Sequence, residues 1–127
     1  MLHSSRARRA ILAVTGLTFL VIATASLIAP HTMAEPFRYG LSHVDSLSEF
    51  RAVYVGLWLA HVAACAMAIK HITSAPVGDV VGILVLGQGI GRLVSAALDG
   101  LPSAAILPML VIELLGGTSL LLVRPSR

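Results

Sequence analysis

The stretch LGQGIGRLVSAALDG, Leu86 to Gly100, sets an amide, a guanidinium, a hydroxyl and a carboxylate into an otherwise apolar run. Gln88, Arg92, Ser95 and Asp99 follow at steps of four, three and four, which aligns them on one stripe of a helix. Arg51, Tyr54, Trp58, His61 and Cys65 form a second stripe, with Glu49 just ahead of it. A single acid, Glu113, stands in the last apolar run. A guanidinium and a carboxylate in apolar surroundings can clasp two helices, hold the head of an amphipathic ligand, or move a proton. An ionised side chain at the centre of a membrane helix costs about 2.5–3.5 kcal/mol, so such residues face the interior and pair. Arg92 and Glu113 are therefore expected to pair across a short hairpin, the first about 10 Å and the second about 15 Å from its outer end at 1.5 Å per residue.

Other chemistry is weaker. Gly87-Gln88-Gly89-Ile90-Gly91 imitates part of a dinucleotide fingerprint, but that motif needs a preceding strand and an acidic residue about 20 positions on. Within a membrane helix, Gly87 with Gly91, and Gly78 with Gly82, instead predict close helix packing, as does Gly117 further on. The five histidines do not pair at metal-ligand spacing, and one cysteine, Cys65, allows no internal disulfide. No metal or cofactor is expected, and no nucleophile with a neighbouring base can be found. The balance leans away from an enzyme.

The composition says what positions these residues. Of 127 residues 57% are hydrophobic and 12% charged, and the mean hydropathy is +0.90, beyond the range of a soluble domain. Ala10–Ala29 and Ala52–Ile69 carry no charge, Val80–Leu98 only Arg92, and Ser103–Val123 only Glu113. Each run is long enough to cross a hydrocarbon core of about 30 Å. The expectation is an all-α integral membrane four-helix bundle, one domain over residues 1–127, with spans near 10–29, 50–69, 78–98 and 103–123.

Proline punctuates these runs: Pro30 closes the first, Pro76 opens the third and Pro102 opens the fourth. Short links after the second and third spans predict antiparallel neighbours. Pro108, five residues before Glu113, predicts a kink that opens the outer half of the fourth span. With both termini cytoplasmic, the inner side holds Arg6, Arg8, Arg9, Lys70, Arg124 and Arg127, against Arg38 and Arg51 outside. That asymmetry also accounts for the net charge of +3, and no basic run long enough for nucleic acid is present. The rival reading, a signal peptide cut after Thr32-Met33-Ala34, meets an uncharged run longer than the usual apolar segment of about 7–15 residues.

The polar residues then gather in the outer half: Glu49, Arg51, Tyr54, Gln88, Arg92, Ser95, Asp99 and Glu113. The inner halves read as almost purely apolar, so the expected shape is a pocket open outward. Glu49-Phe50-Arg51-Ala52-Val53-Tyr54-Val55-Gly56-Leu57, Gly91-Arg92-Leu93-Val94-Ser95, Asp99-Gly100-Leu101-Pro102 and Glu113-Leu114-Leu115-Gly116 resemble the domain of unknown function 4345 family of small bacterial membrane proteins. The resemblance covers nearly the whole chain. It implies four helices in a bacterial inner membrane and carries no catalytic residues.

Three functions fit these residues. The favoured one is an accessory subunit whose polar cluster is a structural clasp, with the lipid bilayer around it and a partner membrane protein or a second copy against its small-residue faces. The alternative is binding of a lipid, quinone or similar amphipathic ligand in the cluster. Proton chemistry at Glu113 or His61, in a membrane enzyme or proton-coupled transporter, ranks third.

Overall fold

A computed structural model describes residues 2–126, so Arg127, placed in the cytoplasm from sequence, lies outside it. Regular structure in it is helical apart from one pair of very short strands. Ser4 caps the first helix, α1 (Ser5–Ile28), its hydroxyl accepting from Ala7 N–H at 3.2 Å. The helix stops one residue short of Pro30, which opens the short α2 (Pro30–Ala34). A 3₁₀ turn, Glu35–Phe37, follows and ends on Arg38 in the left-handed region, φ 56°. His43 caps α3 (Val44–Arg51) in a reciprocal arrangement with Ser46. From there a π-helical segment, Ala52–Leu57, leads into α4 (Trp58–Lys70), giving one continuous helix of 27 residues. The helices α5 (Ala75–Asp99) and α6 (Leu107–Leu122) complete the set.

Three of these helices, Ser5–Ile28, Val44–Lys70 and Ala75–Asp99, are long and apolar enough to cross a membrane, and α6 is a shorter apolar helix of 16 residues. Their outward faces are apolar too, with Leu17, Val21, Ile83, Val94, Ile112 and Leu115 exposed. Helices apolar all round suit a hydrocarbon surrounding.

Two expectations about proline are corrected. Pro76 does sit in the first turn of α5, but Pro102 lies in the coil ahead of α6 and does not open it. Pro108 takes that place. α6 starts at Leu107, so Pro108 sits in its first turn, where the missing N–H serves no helical bond and no preceding turn is there to be kinked.

Antiparallel pairs build the core. Gly16 on α1 faces Cys65 on α4, where an added Cβ would come within 3.1 Å of the Cys65 Cβ; three residues on, Phe19 packs on Trp58 and His61. Between α5 and α6 the contacts run Gly82 to Leu120 and Gly89 to Leu114, so one chain direction opposes the other. Of the glycines between α5 and α6, Gly117 is tightest, with an added Cβ only 2.6 Å from the Leu86 backbone nitrogen. Small residues do carry this packing: Gly82 and Gly117 as expected, joined by Gly89, while Gly78, Gly87 and Gly91 do not. Nothing lies within 4 Å of a Cβ added at Gly87 or Gly91, and Gly78 meets the Arg8 guanidinium instead of a helix backbone. The buried stripe of α5 runs Gly78, Val81, Gly82, Val85, Gly89, and Gly87 and Gly91 fall outside it.

Beyond α6 the chain forms β2 (Val123–Arg124), which pairs in parallel with β1 (Leu2–His3), and Ser5 Oγ lies 2.9 Å from Ser126 Oγ. The first and last described residues thus lie side by side.

Candidate functional site

Arg92 and Glu113 are brought together by the close approach of α5 and α6 at Gly89 and Leu114. The Arg92 Nε donates to Glu113 Oε2 at 2.7 Å and its Nη2 to Oε1 at 3.2 Å, a two-point fork in which the side chains are 26% and 13% exposed. Such a fork sets orientation as well as attraction. It uses two N–H groups of the five that a guanidinium carries, so the pair is neutral as a unit yet still has donors to offer. A cavity of about 230 Å³ opens beside it. Its polar wall is Arg92, Glu113, Gln88, Thr15 and Thr18, and its apolar wall includes Phe19, Trp58, Val85 and Ile112, so α1, α4, α5 and α6 all contribute. Phe19 and Trp58 meet edge to face at 5.7 Å.

The eight polar residues singled out from sequence do not form one pocket. Gln88, Arg92 and Glu113 share this cavity. Glu49 and Tyr54 line a separate one of about 440 Å³ near the loop that leads into α3, with Arg38 and Tyr39. Ser95 and Asp99 are exposed and line neither, because half-buried Arg92 and Ala96 continue the buried stripe of α5 and leave them to one side.

Arg51 is also exposed and lines neither cavity. The π-helical segment explains this. Its wider turn takes one more residue than an α-turn, so Phe50 rather than Arg51 continues the stripe of Tyr54, Trp58, His61 and Cys65. Phe50 is 4% exposed and stacks on Tyr54 with centroids 4.5 Å apart. His61 is buried against Phe19; its Nδ1 is 2.9 Å from the Leu57 carbonyl, and its Nε2 has no hydrogen-bond partner among the described residues.

The opposite end of the bundle corrects a further expectation. It is not purely apolar. Arg8 is 1% exposed and donates through Nη1 to the carbonyls of Leu120 at 2.8 Å and Val123 at 2.6 Å. Its Nη2 donates to the carbonyl of Ala75 at 2.9 Å and to Asp79 Oδ1 at 2.8 Å. Arg124 donates to the other Asp79 oxygen. Helix C-termini leave carbonyls without partners, and here a side chain from α1 takes up those at the end of α6. In the sequence Arg8 looks like one of several flanking positive charges. The one local hint is Gly78 beside Asp79 in an apolar helix, a gap next to a charge.

Among the described residues no group of three or more His, Cys, Asp or Glu stands close enough together to hold a metal. What the fold and its polar pairs define is an all-helical protein with apolar helices able to cross a membrane and charges buried between them. Residues 7–123 match the family described as "Domain of unknown function (DUF4345)", and the chain belongs to it. No curated protein and no solved structure matches the chain.

Proposed function

We propose that this is a four-crossing protein of the bacterial inner membrane with both termini in the cytoplasm, and that the cavity beside Arg92 binds the head of an amphipathic ligand such as a lipid or quinone. The crossing number is supported by the β1–β2 pair, because a chain whose two ends meet on one side crosses an even number of times. The 16 residues of α6 span about 24 Å, close enough to the hydrocarbon thickness for local thinning of the bilayer to absorb the difference. Orientation rests on the lysine and arginine excess at that end.

The observation that carries the binding reading is a neutralised guanidinium with unused donors at the edge of an aromatic-walled cavity between four helices. Pockets of this make-up, mostly apolar with a few converging polar groups, hold small ligands. Arg92 and Gln88 would donate to acceptor oxygens on the head, Glu113 would keep the arginine in place, and Phe19 and Trp58 would cover the apolar part.

Native mass spectrometry of the protein from mild detergent tests this. A retained lipid or quinone is expected. Gly116→Leu should remove it without unfolding the protein, because a Cβ at Gly116 meets only Val85 Cγ1, at 3.9 Å, while the longer side chain fills the cavity. An empty parent protein, or equal retention by Gly116→Leu, overturns the reading.

A second reading, an accessory subunit, is favoured by the open face at Gly87 and Gly91. These glycines sit among exposed Ile83, Ile90 and Val94 and pack against nothing among the described residues, so a partner helix could approach closely there. A membrane protein that copurifies with the parent and is lost from Gly87→Leu would support it; a parent that copurifies with nothing would remove it.

A further inference from the structure

The cavity of about 440 Å³ lies where the turn after Phe37 meets the start of the 27-residue helix. At 1.5 Å per residue that helix is about 40 Å long, against about 30 Å for a hydrocarbon core, so its first turns stand at headgroup depth. Tyr39 and Tyr54 meet there almost edge-on, with centroids 6.1 Å apart at 64° and hydroxyls 3.3 Å apart, which forms an aromatic corner. Buried Phe50, stacked on Tyr54, supports it from below.

One acid and one base, Glu49 and Arg38, line the same cavity, and neither makes an ion pair among the described residues. Arg38 is also the one non-glycine residue described with positive φ. That conformation ends the 3₁₀ turn as its C-cap, with φ 56° and ψ 31°, and brings the chain round to the cavity.

We propose that this cavity binds an ammonium-bearing phosphodiester, the headgroup chemistry of phosphatidylethanolamine and phosphatidylcholine. The ammonium group sits against the Tyr39–Tyr54 corner, where ring faces attract cations, with Glu49 as counter-charge. The phosphate takes the Arg38 guanidinium, whose planar fork matches its oxygens. One unpaired charge of each sign suits a zwitterion. An anionic headgroup such as phosphatidylglycerol would satisfy Arg38 but face Glu49 with no cation between them. This site is independent of the cavity beside Arg92.

The test is native mass spectrometry of the full chain after incubation with an equal mixture of dioleoyl phosphatidylethanolamine and dioleoyl phosphatidylglycerol. The parent should retain the ethanolamine lipid about tenfold over the glycerol lipid; Glu49→Gln should remove most of that preference, while Arg38→Ala should cut the retention of both lipids. Glu49→Lys should reverse the preference. All three changes fall on exposed side chains, and unfolding temperatures check that the variants are intact. Glycerophosphoethanolamine in excess distinguishes the source: displacement of the lipid means that the headgroup alone suffices, and persistence means that the whole lipid is bound. Gly116→Leu should leave the preference unchanged, which separates this site from the inner cavity. Equal retention of the two lipids, retention of neither, a preference unaltered by Glu49→Gln, or a retention unaltered by Arg38→Ala overturns the proposal.

Discussion

Arg8 Nη2 lies 2.8 Å from Asp79 Oδ1, with the arginine sealed from solvent and its other terminal nitrogen on the carbonyls of Leu120 and Val123. One side chain thereby ties the start of α1 to the start of α5 and the end of α6. Gly78 makes room for it: a Cβ there would come 2.5 Å from Nη2.

Gly78→Ala should therefore destabilise the protein through Arg8, by about 1–3 kcal/mol, the usual cost of overfilling a packed site. Arg8→Ala should cost about 3–5 kcal/mol, since it strips Asp79 and three carbonyls of a buried donor. Once the guanidinium is gone, Gly78→Ala should cost little more. Unfolding measured in detergent over this double-mutant cycle checks the coupling, and strictly additive costs would remove it.

Arg92 and Glu113 make a different prediction, because each is the other's ion partner. Glu113→Gln leaves a half-buried guanidinium between α5 and α6 without its counter-charge, at a cost of up to about 3–5 kcal/mol, while apolar residues on both sides can be nearly neutral. Arg92→Leu with Glu113→Leu should thus melt close to the parent and well above either single variant. Growth complementation then reads function: recovery by the double variant means a clasp, and failure despite a normal melting temperature means that the pair serves a ligand. Single variants as stable as the parent would show that the pair contributes nothing.

Ser5 and Ser126 offer a direct check on the number of crossings. Their hydroxyl oxygens are 2.9 Å apart, so Ser5→Cys with Ser126→Cys should form a disulfide on mild oxidation of the protein in membranes. A tag on the C-terminus should be reachable from the cytoplasm alone. Two termini labelled on opposite faces, with no cross-link, would mean an odd number of crossings.

Much of this was legible along the chain. Apolar runs of helical length, the proline that ends α1 and the one that starts α5 are properties of contiguous residues, and they survive folding unchanged. Arg92 and Glu113 were also readable as a pair. Each is the lone charge of its run, the two runs are joined by a short link, and an unpaired charge at that depth is too costly to leave.

What the sequence by itself determined, then, is a set of apolar helices with charges that must find partners. Tertiary structure decided which partners and which faces. The π-helical segment advances the register by one residue and so turns Arg51 outward and Phe50 in, a rotation that an α-helical period does not anticipate. Gly82, Gly89 and Gly117 form the seam while Gly87 and Gly91 stay open, because only the position of α6 distinguishes two equally small faces of α5. Arg8 and Asp79 are 71 residues apart, and Arg124 is 45 residues beyond Asp79. No spacing rule links them. They meet because three helix ends converge there, and because burying a charge with unmet carbonyls around it is favourable only once all of those groups have been brought to one place.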